Sequence, residues 1–456
     1  MKINTTKTEL SLEDVSQIIT AHYADKQHKL KLKRYYVGDH DILAKEPRNA
    51  TAPNNMIVAN YCEYISNMST GFFLGRPVAY SSISKNEDEV KALQEVFKYN
   101  DEHAHNLELA EEASVTGEAY EFLYLDEEAK IRFHSVPSEE IIMVCDATME
   151  ENILYAIRHY RVLDLDNVSY QEFVDVYDQS TVTKYSYNEG RFQVIEDTAP
   201  HYFDDVPIVE YPNNRLHRGD FEGVITLVDA YNKTQSFTLD DMEDFTDAFL
   251  VLKGMGGTNE EDVRELRKNK VISLEDGGSA EWLIKNLNDN YIEGVKKRLQ
   301  NDIHKFSNIP DMSDESFTGN TSGVAIKYKL IGLEQIRSRK EREFKKGLQR
   351  RIELISGIMK LKNKTPIDFR DIEITFTANI PANNQEQADI VQSLVGLVSQ
   401  KRLLSLLPFV TDPIEEMAEL KKEKAEERAD DYMNLGGVRN EESNNGDENG
   451  DDKEEA

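Results

Sequence analysis

The segment from Asn286 to Lys364 constrains the fold of this chain more than any other: it reads as a helix, a polar loop and then a much longer helix. In the first helix Ile292, Val295, Leu299, Ile303 and Phe306 recur at steps of three and four, which puts them on one face. Ile309-Pro310 breaks that rhythm, because proline has no amide hydrogen to donate and biases its predecessor away from helix. The next stretch, with Asp311, Met312, Ser313, Asp314, Glu315, Ser316, Phe317, Thr318 and Asn320, is rich in turn formers and has little to bury. From Val324 helical periodicity resumes for about forty residues without a proline, and its second half carries Phe344, Leu348, Ile352, Ile355 and Met359 on one stripe. Such a helix spans roughly 50–60 Å at 1.5 Å per residue, longer than most globular cores need.

The charge on that helix is unusual for its context. Arg337, Arg339, Lys340, Arg342, Lys345, Lys346, Arg350 and Arg351 crowd its middle against Glu334, Glu341, Glu343 and Glu353, whereas the whole chain holds 85 acidic and 54 basic residues, a formal charge of −31. Taken singly, these residues read as a solvated face with pairs such as Glu341–Lys345. Taken together, they form a basic belt that calls for a partner: an acidic face of a neighbouring copy, such as Glu243 and Asp244, or phosphate. The acidic balance excludes a protein that coats nucleic acid non-specifically, since that needs a basic footprint. It permits one that lets a duplex slide past, because an acidic wall repels phosphate.

At 456 residues the chain has room for two to four domains. No window approaches eighteen apolar residues, so no membrane contact is expected, and the N-terminus lacks the apolar core of a secretory signal. Cys62 and Cys145, the only cysteines, stand in apolar surroundings without ligand spacing and read as small buried hydrophobes.

In chain order, Leu12 to Tyr35 is an amphipathic helix capped by Ser11 with Asp14 three on; its apolar face is Val15, Ile18, Ile19, Tyr23 and Leu30, with His22 and His28 partly exposed. Ile57 to Phe73 is a helix with a glycine stop, Val78 to Ile83 a strand, and Asp88–Tyr99 and Glu102–Val115 helices. Strands follow at Ala119–Leu125, Lys130–Val136, Glu140–Val144, Leu154–Val162, Glu172–Val176, Thr181–Tyr187 and Phe192–Ile195, whose hairpin-length gaps predict a mostly antiparallel sheet. Gly223 to Leu250 is a long helix. A small module, Glu260 to Lys285, holds a strand at Lys270–Leu274 and the single tryptophan, Trp282. Ile372 to Thr377 alternates strictly and predicts a strand that returns to the first domain. Helices are expected at Asn384–Ser399, Arg402–Phe409 and Ile414–Asp430, and from Asn434 the acidic, polar tail is expected to be disordered.

No catalytic constellation stands out. There is no phosphate-binding glycine loop, Cys-x-x-Cys, His-Glu-x-x-His or Gly-x-Ser-x-Gly. His103 and His105 are two apart and point to different sides of a helix. Asp204-Asp205 and Asp240-Asp241 are paired acids of a kind common on acidic surfaces. No cofactor and no metal site is expected.

Four segments in order resemble the portal proteins of tailed bacteriophages, of the siphophage type from Gram-positive hosts. They are Tyr36-Val-Gly-Asp-His-Asp-Ile-Leu43 with Pro53-Asn-Asn55 and Asn60-Tyr61; Gly71-Phe-Phe-Leu-Gly-Arg-Pro-Val-Ala-Tyr80; Ile309-Pro310 with Ser322-Gly323-Val-Ala325; and Ile374 to Asn383. The resemblance implies an α+β multidomain architecture: an α+β wing over 1–219, a stem helix at 220–250, a small α/β clip at 251–288, a second stem helix at 289–309, a tunnel loop at 310–323, a long kinked helix at 324–364, a wing strand at 365–382, a helical crown at 383–431 and an acidic tail at 432–456. It also implies a non-enzymatic homo-oligomer, a ring of usually twelve subunits around a channel for double-stranded DNA at the capsid vertex of the virion, assembled in the host cytoplasm. The terminase large subunit and the head-tail adaptor would dock at the clip, through residues such as Arg264, Arg267, Lys268, Lys270 and Trp282. Capsid and scaffolding proteins would surround the ring, and Asp311 to Asn320 would face DNA. The rival readings are a metal-dependent DNA-processing enzyme built on the paired acids, and a head-tail adaptor or scaffold.

Overall fold

The computed structural model describes residues 1–50, 52–166, 168–188, 190–246, 249–253, 278–283, 289–312, 326, 328–362, 367–379, 384–407, 410, 413–414 and 416–425. The chain divides into two compact units, Met1–Asn379 and Ile380–Ala456.

The first unit opens with β1 (Lys2–Thr5) and α1 (Leu12–Tyr36). Ser11 starts α1 through a reciprocal cap: its hydroxyl accepts from the Asp14 amide and the Asp14 carboxylate accepts from the Ser11 amide. The buried face of α1 is Val15, Ile19, His22, Lys29, Leu32 and Tyr35, which corrects the sequence reading. Tyr23 and Leu30 lie outside, and His22 is 1% exposed rather than partly open, because ion pairs let charged groups share the inner stripe. Next come α2 (Tyr61–Leu74), β2 (Ala79–Ser82), α3 (Glu87–Tyr99) and α4 (Glu102–Thr116). Gly117 ends α4 at φ +92, and a Cβ there would lie 2.2 Å from the His217 carbonyl oxygen.

The strands β3 (Glu118–Leu125), β4 (Ile131–Val136), β5 (Ile141–Asp146), β6 (Ile153–Asp164), β7 (Ser169–Tyr177), β8 (Thr181–Asn188), β9 (Arg191–Pro200) and β10 (Ile208–Pro212) form two sheets. One has the order β1-β5-β6-β7-β8-β9 and the other β10-β3-β4. Every pair in them is antiparallel except β1 with β5. β1 and β10 escape the sequence reading. The first is a short polar segment placed by a distant partner, and the second is closed by Pro212, which sits at a strand end where its missing amide is harmless.

The helix α5 (Ile225–Thr246) is shorter than expected from the sequence. Phe249 and Leu250, read there as its last turn, belong instead to β11 (Phe249–Lys253), which pairs antiparallel with β12 (Ser279–Leu283). The backbone of Trp282 lies opposite Leu250. The helix α6 (Asp289–Ser307) returns along α5, so the two form an antiparallel pair joined by the β11–β12 ribbon. The long helix is α7 (Ile331–Leu361), and Ile326, Tyr328 and Lys329 ahead of it are helical as well. Leu330 sits at φ −83, ψ 0 just before α7; its amide donates to Ile326 O and its carbonyl accepts from the Glu334 amide. The uninterrupted part spans about 46 Å at 1.5 Å per residue. β13 (Ile372–Thr375) pairs antiparallel with β2, as the alternation predicts.

The main core lies beneath α7. Phe344, Leu348, Ile352, Ile355 and Ile358 pack among Phe73, Phe97, Leu109, Phe133, Tyr211 and Ile374. Each such side chain contributes about 1.5–3 kcal/mol. Gly347 allows the close approach: a Cβ there would meet the Tyr211 ring at 2.4 Å. Smaller clusters join β10-β3-β4 to the large sheet (Tyr120, Met143, Tyr177, Val206) and α1 to that sheet (Val15, Ile19, Ile142, Val174). Cys62 and Cys145 are buried and free.

The second unit begins with α8 (Asn384–Leu394) and α9 (Gln400–Leu404). The expected helix to Ser399 stops at Leu394, because Gly396 turns the chain at φ +85 and Ser399 caps α9. Residues 413–414 and 416–425 are helical, and the acidic tail lies outside the described residues.

Candidate functional site at the helix–loop–helix junction

Two helices fasten the junction to the body of the protein. On α5 the polar residues Asp229, Asn232, Ser236 and Asp240 recur at helical spacing along one stripe, and the last three are buried. An extended segment lies against them. The amide of Asn55 donates to Asp240 at 2.7 Å, that of Ile57 to Ser236 Oγ at 2.9 Å, and that of Ala59 to Asn232 Oδ1 at 2.9 Å. Alternate amides of an extended chain thus find side-chain acceptors on a helix, which satisfies donors that no sheet partner reaches. Asn232 Nδ2 donates to His40 Nδ1 at 2.9 Å, leaving His40 Nε2 to donate to Tyr35 O at 3.0 Å. Tyr35 OH completes the row on Asp229 at 3.0 Å. Asp240, one of the paired acids, also takes Lys45, and Asp241 faces Arg48 at 3.7 Å. Asp240 and Asp241 thus each face a basic side chain of the segment around Lys45 and Arg48.

At the far end of α6 the chain leaves under an aromatic clamp. Asn308 turns at φ +58, and His304 Nδ1 lies 3.0 Å from Ile309 O. Tyr64 OH donates to Pro310 O at 2.9 Å and accepts from the Met312 amide at 3.2 Å. Asp311 accepts from Gln300 at 3.1 Å. The rings of Tyr61 and Tyr64 stand edge-on to His304 at 5.8 Å. Asp311 and Met312 are thus held from both α2 and α6. The remaining loop residues singled out in the sequence, Ser313, Asp314, Glu315, Ser316, Phe317, Thr318 and Asn320, lie outside the described residues, as do Arg264, Arg267, Lys268, Lys270 and the side chains of Asp244 and Trp282.

The basic belt of α7 resolves into three sets. Lys340 and Arg351 leave the surface, a correction to reading the belt as one exposed strip. Lys340 Nζ binds Asp220 and Asn213, each at 2.6 Å. Arg351 is fully buried, with Nε 2.8 Å from Glu121 Oε1 and Nη1 2.8 Å from Asn106 Oδ1, over the Phe133 ring. Tyr211 OH donates to Glu121 at 2.6 Å and His105 Nε2 lies 3.0 Å away. Burial pushes the Glu121 carboxyl up, but Arg351 and His105 outweigh it and hold it at about 2. A second set pairs near the surface: Arg337 with Glu334 at 2.6 Å and Glu341 at 2.8 Å, Lys346 with Glu343 at 2.6 Å, and Arg350 with Glu353 at 2.7 Å and Asp205 at 2.6 Å. Glu341 therefore serves Arg337. Arg339, Arg342 and Lys345 form the third set and make no ion pair among the described residues; Arg339 and Arg342 are exposed.

Among the described residues, one cluster has metal-ligand spacing: Glu118, Glu210 and His217. His217 Nδ1 lies 2.8 Å from Glu118 and 3.4 Å from Glu210, and its hydrogen bond to Glu118 raises its pKa, so it acts as counter-ion to the two carboxylates, with Lys29 also on Glu118. The sequence reading missed this cluster and the α5 stripe. The stripe had a signal, small polar residues at 3–4 spacing facing the Asn54-Asn55 pair.

An α+β body crossed by a long helix, with a paired-helix arm and an anchored loop between them, defines a protein of the portal class. The family described as "Phage portal protein, SPP1 Gp6-like" matches residues 15–430, and the chain belongs to that family. It is 28% identical to a portal protein of Clostridium phage phiCD119 over 463 aligned positions, which span 93% of this chain and 100% of that protein. It is 26% identical to the portal protein of Bacillus phage SPP1 over 430 positions, 86% of this chain and 83% of the relative. Solved structures of the necks of empty and native GTA particles align with a TM-score of 0.48 at 12% identity, covering 83% of this chain and 93% of theirs. No helix among the described residues is long and apolar enough to cross a membrane.

Proposed function

We propose that the chain assembles into a ring, of about twelve copies in the capsid, whose channel passes double-stranded DNA during packaging and ejection. The α5–α6 pair is the stem and the β11–β12 ribbon is the root of the clip. The segment that begins at Asp311 is the tunnel loop, facing the duplex. The terminase large subunit docks at the clip during packaging and the head-tail adaptor takes its place afterwards, with Arg264, Arg267, Lys268, Lys270 and Trp282 in the docking surface. Capsid and scaffolding proteins hold the wing, and the protein does no chemistry of its own.

The observation that carries this reading is the mounting of the junction. An antiparallel helix pair is fixed to the body by three backbone amides on α5, and the loop leaves α6 through a two-sided hydrogen bond on Tyr64. That mounting suits a part that must stay in register while a charged polymer moves past it. The net charge of −31 suits a channel that does not grip phosphate.

Native mass spectrometry with negative-stain microscopy tests the proposal. The expected result is closed rings of about a dozen copies with a central hole. A chain that stays monomeric at all salt and protein concentrations, and cleaves DNA when a divalent metal is added, would overturn it in favour of the DNA-processing enzyme.

A further inference from the structure

We infer that the outer stripe of α7 and a groove on the outer face of α4 are the two halves of one contact between neighbouring copies, with Arg342 of one copy meeting Glu108 of the next. The inference rests on the ring reading and deepens it.

The two helices meet across the main core. Arg351 of α7 reaches Asn106 and Glu102 on α4, and the residues around them on both helices are buried. On α7 the buried stripe runs through Lys340, Phe344, Gly347 and Arg351; Gln335, Arg339, Arg342 and Lys346 lie half a turn round and are exposed. On α4 the buried stripe runs through Glu102, Asn106, Leu109 and Ala113, and Ala104, Glu108 and Glu111 lie half a turn round. Because the inner stripes face each other, the outer ones face away in opposite senses. Two different, oppositely directed faces on one chain are what a head-to-tail contact that closes into a ring requires.

The chemistry of the two faces is complementary. The α4 side holds a groove of about 490 Å³ with an apolar floor of Val37, Val115, Val136 and Pro137 and an acidic wall of Glu108 and Glu111. Val37 is 74% exposed. Lys33, the basic residue in the groove, is already taken by Glu112 at 2.8 Å and Glu139 at 2.6 Å, and Glu111 accepts from Tyr36 OH. Glu108 is exposed and makes no ion pair among the described residues, which is also the state of Arg342 and Arg339. An arginine suits such a groove, since its methylene stem covers the exposed Val37 while the guanidinium forks onto carboxylate. The occupant is therefore a second copy of this chain.

A charge-swap experiment on the full chain tests the pairing, with ring formation read by native mass spectrometry against protein concentration and salt. Both positions are exposed, so Arg342→Glu and Glu108→Arg should keep the wild-type melting curve. Each alone should raise the concentration needed for rings about tenfold or more, because like charges then face each other, and the double variant should return toward wild type. If wild-type rings form and neither single variant changes their assembly, the pairing is wrong while the ring reading stands. Single variants that both weaken rings with no recovery in the double variant would overturn it equally. So would an Arg342→Glu chain that assembles normally but packages less DNA, which would assign the stripe to phosphate. A wild-type chain that never forms rings would remove both readings together.

Discussion

α7 and α5 both turn polar side chains inward, with different chemistry. Beneath α7 the polar groups are ions: Arg351 against Glu121, and Lys340 against Asp220. Along α5 they are mostly neutral or singly charged acceptors that collect backbone amides from residues 55–59. Desolvating an ion pair nearly cancels its attraction, so the α7 pairs fix where the helix sits more than they stabilise it, while the loss of one partner is severe. The α5 contacts each offset one buried donor and fail one at a time. A single long helix is thus keyed at two points, whereas α5 is laced along its length.

The largest expected effect is at the key. Arg351→Ala leaves Glu121 buried without its cation and should cost about 3–5 kcal/mol in chemical denaturation, whereas Arg351→Met with Glu121→Leu should recover most of that loss. If the double variant were as unstable as the single one, α7 would be held by packing alone. Gly347→Ala drives a methyl into the Tyr211 ring and should cost about 1–3 kcal/mol with no dependence on pH. Ser236→Ala removes the acceptor of the Ile57 amide and should cost about 1–3 kcal/mol, with faster amide exchange confined to residues near 57. A loss spread evenly over the chain would break the idea of independent laces.

The pH dependence sharpens the contrast. The folded carboxyl of Glu121 lies at about 2, below the 4.5 of an ordinary glutamate, so its contribution is complete above 4.5 and is lost as the pH falls toward 2. Glu121→Gln should flatten the acid limb of the stability curve between those values, while Ser236→Ala leaves it unchanged. The smallest effect is expected at the surface of α7, where Arg337→Ala should change stability by less than about 1 kcal/mol despite two ion pairs in the structure.

The same contrast explains what the sequence could reveal. Periodicity located α1 to α7 and the hairpins of the large sheet, because each rests on local spacing. Arg351 was indistinguishable from Arg350 or Arg342, since its partner Glu121 lies 230 positions away and nothing local marks it as buried. His22 failed for a similar reason: a histidine on a helix reads as exposed until the charges around it are known. The foot of the loop was legible as a break at Ile309-Pro310, but not the hand that holds it, because Tyr64 is 246 positions from Pro310. The early end of α5 came from strand pairing, which helical spacing does not encode.

The most direct test of the account is proximity to DNA at the foot of the loop. Cys62 and Cys145 are buried, so a single cysteine carrying a photo-crosslinker can be placed at Met312 or, as a control, at the fully exposed Met149 in packaged particles. The account predicts DNA adducts at position 312 and none above background at 149. Adducts at 149 with none at 312 would contradict it.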